Sequence, residues 1–186
     1  PEDPVEPGRP DGWAAVEATL GTGLPNDFKA FTERYGSGTV DDFLYLFNPF
    51  TAGEDGNLVV EKDRVLTAYR QTRARFPDRL PLPPFPEPGG VLPLGRTDNG
   101  DELYWVTQGH ADDWPVALVE SRATLQEVHP MPVTGFLTAL SANQLKDLRN
   151  LPEEKRVEHI KSLVEQQRRE EQQKTWRRLA EQASPE

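Results

Sequence analysis

The sequence predicts an α+β domain with a mainly antiparallel sheet, followed by a charged helical tail. Three observations carry this. Apolar residues recur at helical spacing near the start and again at 58–76. An Asn-Gly turn separates two apolar runs between residues 91 and 107. After residue 141 the composition changes to Gln, Glu, Arg and Lys.

Taken in order, residues 1–11 are proline-rich and acidic and read as a disordered lead. They have neither the basic n-region nor the apolar h-region of a signal peptide. From Gly12, Trp13, Val16 and Leu20 form one helical stripe that Gly21 and Gly23 end. Leu24-Pro25-Asn26-Asp27 restarts a helix, with Asn26 or Asp27 as its cap, Phe28, Phe31 and Tyr35 along one face and Gly36 as its stop. A strand is predicted at 43–47, closed by Asn48-Pro49, and a turn at 54–57. Residues 58–76 read as a helix marked by Leu58, Val65, Leu66, Tyr69 and Phe76. The stretch 77–90 holds six prolines and two glycines, so it is a surface loop, with Leu80, Leu82 and Phe85 as packing anchors.

Val91–Thr107 is predicted to be a hairpin with a type I′ turn at Asn99-Gly100, because both central residues of that turn need positive φ. Strands follow at 116–119 and near 125–128, then a short helix at 133–140 with Phe136, Leu137 and Leu140 inward. The order of helices and strands defines the class. The tail, 142–186, carries short apolar stripes at Leu145, Leu148 and Leu151 and at Val157, Ile160, Leu163 and Val164. Pro152 is placed to open a helix there. It reads as a solvent-exposed helix laced with charge pairs, with a docking helix as the alternative.

The 186 residues suffice for one domain plus an appendage and include no cysteine. Disulfides, thiolate zinc sites and a cysteine nucleophile are thereby excluded, and a reducing, cytoplasmic setting is the expectation. No apolar run approaches the roughly 20 residues of a membrane helix. The net charge of −10 is uneven. Residues 1–145 hold 11 basic against 22 acidic residues, and 146–186 hold 10 against 9. The acidic body disfavours nucleic acid and would steer a basic protein toward it.

Catalytic signatures are not found. His110, His129 and His159 are far apart and without metal spacing, and read as surface or edge residues. There is no phosphate-binding loop, no nucleophile elbow and no dinucleotide fingerprint. Asp98-Asn99-Gly100-Asp101 lacks the alternate ligand spacing and trailing Glu of a calcium loop and reads as a turn. Asp112-Asp113 beside His110 and Trp114 reads as a solvated loop with a partly buried tryptophan. No metal, no cofactor and no enzymatic activity are expected.

Three blocks, in order over residues 12–141, resemble the SUKH superfamily. The first is Trp13…Leu20-Gly21…Leu24-Pro25-Asn26-Asp27-Phe28-Lys29-Ala30-Phe31…Tyr35-Gly36. The second is Leu92-Pro93-Leu94-Gly95…Asn99-Gly100-Asp101-Glu102-Leu103-Tyr104-Trp105. The third is Trp114-Pro115-Val116-Ala117-Leu118 leading to Gly135-Phe136-Leu137-Thr138-Ala139-Leu140. The resemblance implies an α+β fold and binding rather than catalysis. Many bacterial members of that superfamily are immunity proteins that neutralise toxins, often nucleases or deaminases, by direct contact; others are regulatory scaffolds. The matching residues Leu24, Pro25, Gly36, Gly100 and Trp105 read as structural.

The expectation is therefore a non-catalytic protein-binding module that neutralises a basic toxin domain. Its candidate contacts are loop-borne acids and an aromatic: Asp41, Asp42, Glu54, Asp55, Asp98, Asp101, Glu102, Asp112, Asp113 and Trp114. The alternative is a regulatory adaptor acting through the tail by a helix-in-groove mode.

Overall fold

A computed structural model describes residues 3–122 and 124–141. The predicted tail, with His159, lies outside the described residues. The elements in chain order are α1 (Trp13–Leu20), α2 (Asn26–Tyr35), β1 (Thr39–Val40), β2 (Leu44–Leu46), α3 (Leu58–Arg75), β3 (Val91–Thr97), β4 (Glu102–Val106), β5 (Val116–Glu120), β6 (Leu125–His129) and α4 (Val133–Ser141). A 3-10 turn, Ala111–Asp113, precedes β5. The strands form one six-stranded sheet in the order β1-β2-β3-β4-β5-β6, and every neighbouring pair is antiparallel. The class is α+β with an antiparallel sheet.

The apolar runs of β3 to β5 are continuous rather than alternating because helices cover both faces of the sheet. Successive side chains on a strand point to opposite faces. Tyr104 of β4 accordingly meets Tyr69 of α3, ring centroids 5.3 Å apart, while Trp105 meets Phe28 of α2 on the other side at 4.9 Å. Tyr104, Trp105 and Phe28 are each fully buried. His129, read from the sequence as a surface or edge residue, is 5% exposed and packs edge-on against Phe136 of α4.

On α2, the face predicted from Phe28, Phe31 and Tyr35 is rotated. The buried pair is Phe28 and Thr32. Phe31 and Tyr35 pack together with tilted rings, centroids 4.8 Å apart, along the helix flank, and Tyr35 is 47% exposed. The one-turn step from Phe28 leads to Thr32, whose hydroxyl is satisfied by the Phe28 carbonyl at 2.9 Å, so a polar residue fits the core position.

Residues 5–9, placed by composition in a disordered lead, are held against this helix. Ser37 donates its amide to the Val5 carbonyl at 2.7 Å, and the Gly8 amide donates to the Thr32 carbonyl at 3.1 Å. Glu6 takes hydrogen bonds from the Ala52 amide and the Ser37 hydroxyl, which hold its carboxyl below the usual range. Gly36 is required here twice over. Its φ is +67°, and a Cβ would sit 2.0 Å from the Val5 carbonyl oxygen.

The type I′ turn at one end of the sheet lies elsewhere than at the predicted Asn99-Gly100. Asn99-Gly100 does not form a type I′ turn, since only Gly100 has positive φ (82°). Gly100 donates to the Thr97 carbonyl and Thr97 to the Asp101 carbonyl, both at 2.9 Å. This is a three-residue loop closed by a left-handed glycine. The type I′ turn is at Asp41-Asp42, with φ of 52° and 50° and the Phe43 amide bonded to the Val40 carbonyl at 3.1 Å. Aspartate tolerates the left-handed region better than most residues. The turn pairs β1, a strand the sequence did not suggest, with β2.

The proline loop is tied to the sheet as well. Val91 donates to Pro83 at 2.8 Å and Gly89 to Thr107 at 3.1 Å. Of its predicted anchors Leu80 is buried, while Leu82 and Phe85 are half-buried.

Candidate functional site

In an antiparallel meander the β1–β2, β3–β4 and β5–β6 turns share one end and the β4–β5 connection lies at the other. This sorts the sequence-predicted acids. Asp41, Asp42 and Asp98 come together at the first end, where the Asp98 amide donates to the Phe43 carbonyl at 2.9 Å and fastens the two turns to each other. All three are exposed. None makes an ion pair among the described residues. Asp42 accepts only a long hydrogen bond from the Thr39 hydroxyl, 3.5 Å. Their charge is uncompensated by contact and faces solvent. Exposed cations near this end are Arg122, in the β5–β6 turn, and Arg64 of α3, whose charge reaches Glu102.

Beneath these turns, Asp101 is buried and Glu102 half-buried. Asp101 is 6% exposed and accepts from the Ser121 amide at 3.0 Å and hydroxyl at 3.2 Å, clamping β4 to the end of β5. Glu102 points to the α3 side of the sheet and accepts the Tyr104 hydroxyl in a short hydrogen bond. Burial pushes the Glu102 carboxyl above its usual range despite that hydroxyl and the charges of Arg64 and Arg96. Burial, followed by the charge and hydrogen bond of Glu102, pushes Tyr104 well above its own range. Arg64 is held by the buried Glu61 and Arg96 lies over the Phe47 ring at 5.8 Å, so neither forms an ion pair with Glu102.

A folded carboxyl with a raised pKa loses stability as pH rises from the unfolded value through the folded one. Glu102→Gln should therefore raise the Tm at neutral pH by about 2–5 °C, a gain that disappears below about pH 4. Thermal melts of both proteins across that range check it.

Glu102 borders a cavity of about 210 Å³ between α3 and the turn end of β4 and β5. Glu120, Ser121 and Thr124 also line it. Sequence reasoning passed over these three. The usable signal was their position at the end of a predicted strand, one turn away from Asp98.

The remaining candidates lie elsewhere or serve the fold. Glu54 and Asp55 are exposed in the loop before α3. Asp112, Asp113 and Trp114 are at the opposite end of the sheet. Trp114 is 5% exposed and faces Trp105 at 6.4 Å, so it is a core residue and not a contact.

Asp112 caps α2. The helix begins after Pro25, which has no side-chain acceptor; of the two expected caps, Asn26 accepts no helix amide among the described residues, while Asp27 takes only the adjacent Phe28 amide at 2.7 Å. Asp112 instead accepts the Asn26 amide at 2.6 Å and its side-chain amide at 2.8 Å. Asp27 reaches the start of α4, taking the Thr134 amide at 2.9 Å and hydroxyl at 3.1 Å. A helix N-terminus leaves amides unsatisfied, and a carboxylate there answers both the hydrogen bond and the dipole. Asp112→Ala should cost about 1 kcal/mol of stability. Urea unfolding measures it.

Among the described residues there is no group of three or more His, Cys, Asp or Glu able to hold a metal, and no helix long and apolar enough to cross a membrane. Compared with known protein families, curated proteins and solved structures, the chain has no match.

Proposed function

We propose that this chain is a non-catalytic protein-binding module of SUKH type, an immunity protein that neutralises a basic toxin of nuclease or deaminase type by docking its acidic turn end on it. The observation that carries this reading is the union of Asp41, Asp42 and Asp98 on two interlocked turns, exposed and without ion-pair partners among the described residues. The net charge of −10 supports it. A nuclease needs a basic surface to hold phosphate, and an acidic protein set against that surface gains encounter rate and specificity from complementary charge. The three sequence blocks supply the superfamily, and the antiparallel α+β fold is compatible with them.

The test is a pull-down of basic proteins by the full chain at about 50 mM and about 500 mM salt, where screening lengths differ severalfold. One partner held at low salt, weakened at high salt and inhibited when bound supports the proposal. A retained partner that is insensitive to salt, or the absence of any partner, overturns it.

A further inference from the structure

We propose that the cavity between α3 and the turn end of β4 and β5 receives a single basic side chain, arginine or lysine, from the docked protein, with Glu102 as its counter-charge. This rests on the docking reading above and assigns it a specificity pocket.

Size selects the class of occupant. At about 210 Å³ the cavity falls below the roughly 300–1,000 Å³ of sites for small molecules and cofactors. Its lining matches a long amphipathic side chain. Ala68, Leu80 and Val119 offer apolar wall for a methylene stem, and Glu102, Ser121 and Thr124 offer oxygen acceptors for a cationic head. No lysine or arginine among the described residues lines it.

Charge supplies the second argument. One Glu102 oxygen takes the Tyr104 hydroxyl, and the other accepts no hydrogen bond among the described residues. Taking a carboxylate out of water is costly unless a cation answers it. The two arginines nearby, Arg64 and Arg96, act on its charge from a distance but make no ion pair with it, since their heads are engaged on Glu61 and Phe47. A cation arriving from a partner would meet the carboxylate in a site drier than the surface, where their attraction is stronger than between exposed groups. Gly100, on the same turn as Asp98, lines the cavity, so a protein docked on the exposed acids lies within reach of it.

The test is a titration of the intact chain with N-acetyl-arginine amide and N-acetyl-lysine amide, followed by backbone amide NMR. N-acetyl-citrulline amide serves as the uncharged control for arginine. Saturating shifts at Gly100, Glu102 and Ser121 with arginine, lysine or both, at millimolar affinity, are expected. The citrulline control should leave them unmoved, and Glu102→Gln should weaken the effect by about tenfold or more. Equal response to citrulline, no response to either cation, or full response in folded Glu102→Gln overturns the inference. A captured partner bound equally well by Glu102→Gln and the unaltered chain also overturns it, while leaving the docking reading intact. Cation binding in the cavity with no basic partner captured would instead sink the docking reading.

Discussion

Neutralising the turn acids should weaken partner binding by about one to two orders of magnitude at low salt and flatten its salt dependence. The substitutions must respect the backbone. Asp41 and Asp42 sit at positive φ, where lysine would be strained and would confuse a lost charge with a broken turn. Asn is the suitable replacement there, because it visits the left-handed region readily. Asp98 is not among the positive-φ residues and can be reversed to lysine. An exposed ion pair contributes about 0.2–1 kcal/mol. Removing two carboxylates and reversing a third, which counts twice, therefore amounts to about 0.8–4 kcal/mol, centred on one to two orders of magnitude, with most of the change in the association rate. The measurement is a binding isotherm at several salt concentrations for Asp41→Asn/Asp42→Asn/Asp98→Lys. The same experiment on Asp112→Ala should show ordinary affinity, because that carboxylate caps a helix at the other end of the sheet. Unchanged affinity of the triple variant at low salt removes these turns from the interface.

The largest effect on stability is expected from Trp105→Ala. Trp105 is fully buried, packs edge-on against Phe28 at 4.9 Å and lies 6.4 Å from Trp114. It joins the middle of the sheet to the α2 layer. Truncating a buried aromatic to alanine costs about 3–5 kcal/mol, against a total stability of about 5–15 kcal/mol for a domain. The variant should be barely folded at room temperature, with a much lower urea midpoint and an unchanged slope. Trp105→Phe should cost less. It keeps most of the ring and removes an indole N–H that has no hydrogen-bond partner among the described residues. A loss of under about 1 kcal/mol for Trp105→Ala would contradict the packing described for this layer.

The parts of the fold legible in the sequence were those that local physics decides. Trp13, Val16 and Leu20 define α1, and Gly21 stops it with φ of 78°. The long helix expected at 58–76 is α3, started by Asn57, whose side chain accepts the Val59 amide at 3.0 Å. The hairpin, β5, β6 and α4 lie within a residue or two of their expected positions.

What was not legible was decided by residues distant in sequence. The cap of α2 comes from Asp112, 86 positions away, so no local pattern could announce it. β1 has two residues and exists because Asp41-Asp42 turns the chain back onto β2. The lead is pinned because the Val5 carbonyl finds a glycine beyond α2 that lets it approach. Trp114 looked like a loop aromatic because charged residues precede it, yet the 3-10 turn directs it into the core.

The candidate site shows the same division. The surplus of acid was visible in composition, but which acids share a surface was not. Asp41 and Asp98 are far apart in the chain and adjacent only because β2 pairs with β3. Asp101 and Glu102 follow Asp98 within four residues, yet Asp101 is buried in a clamp on Ser121 and Glu102 is half-buried at the cavity.

The central claim is that the turn end of the sheet is the docking surface. Hydrogen exchange of the backbone amides, with and without the captured basic partner, tests it most directly. The account predicts slowed exchange on binding at residues 41–44 and 98–101, with residues 108–113 unchanged. Slowing confined to residues 108–113 or to the tail, with the turn end exchanging as in the free protein, would contradict it.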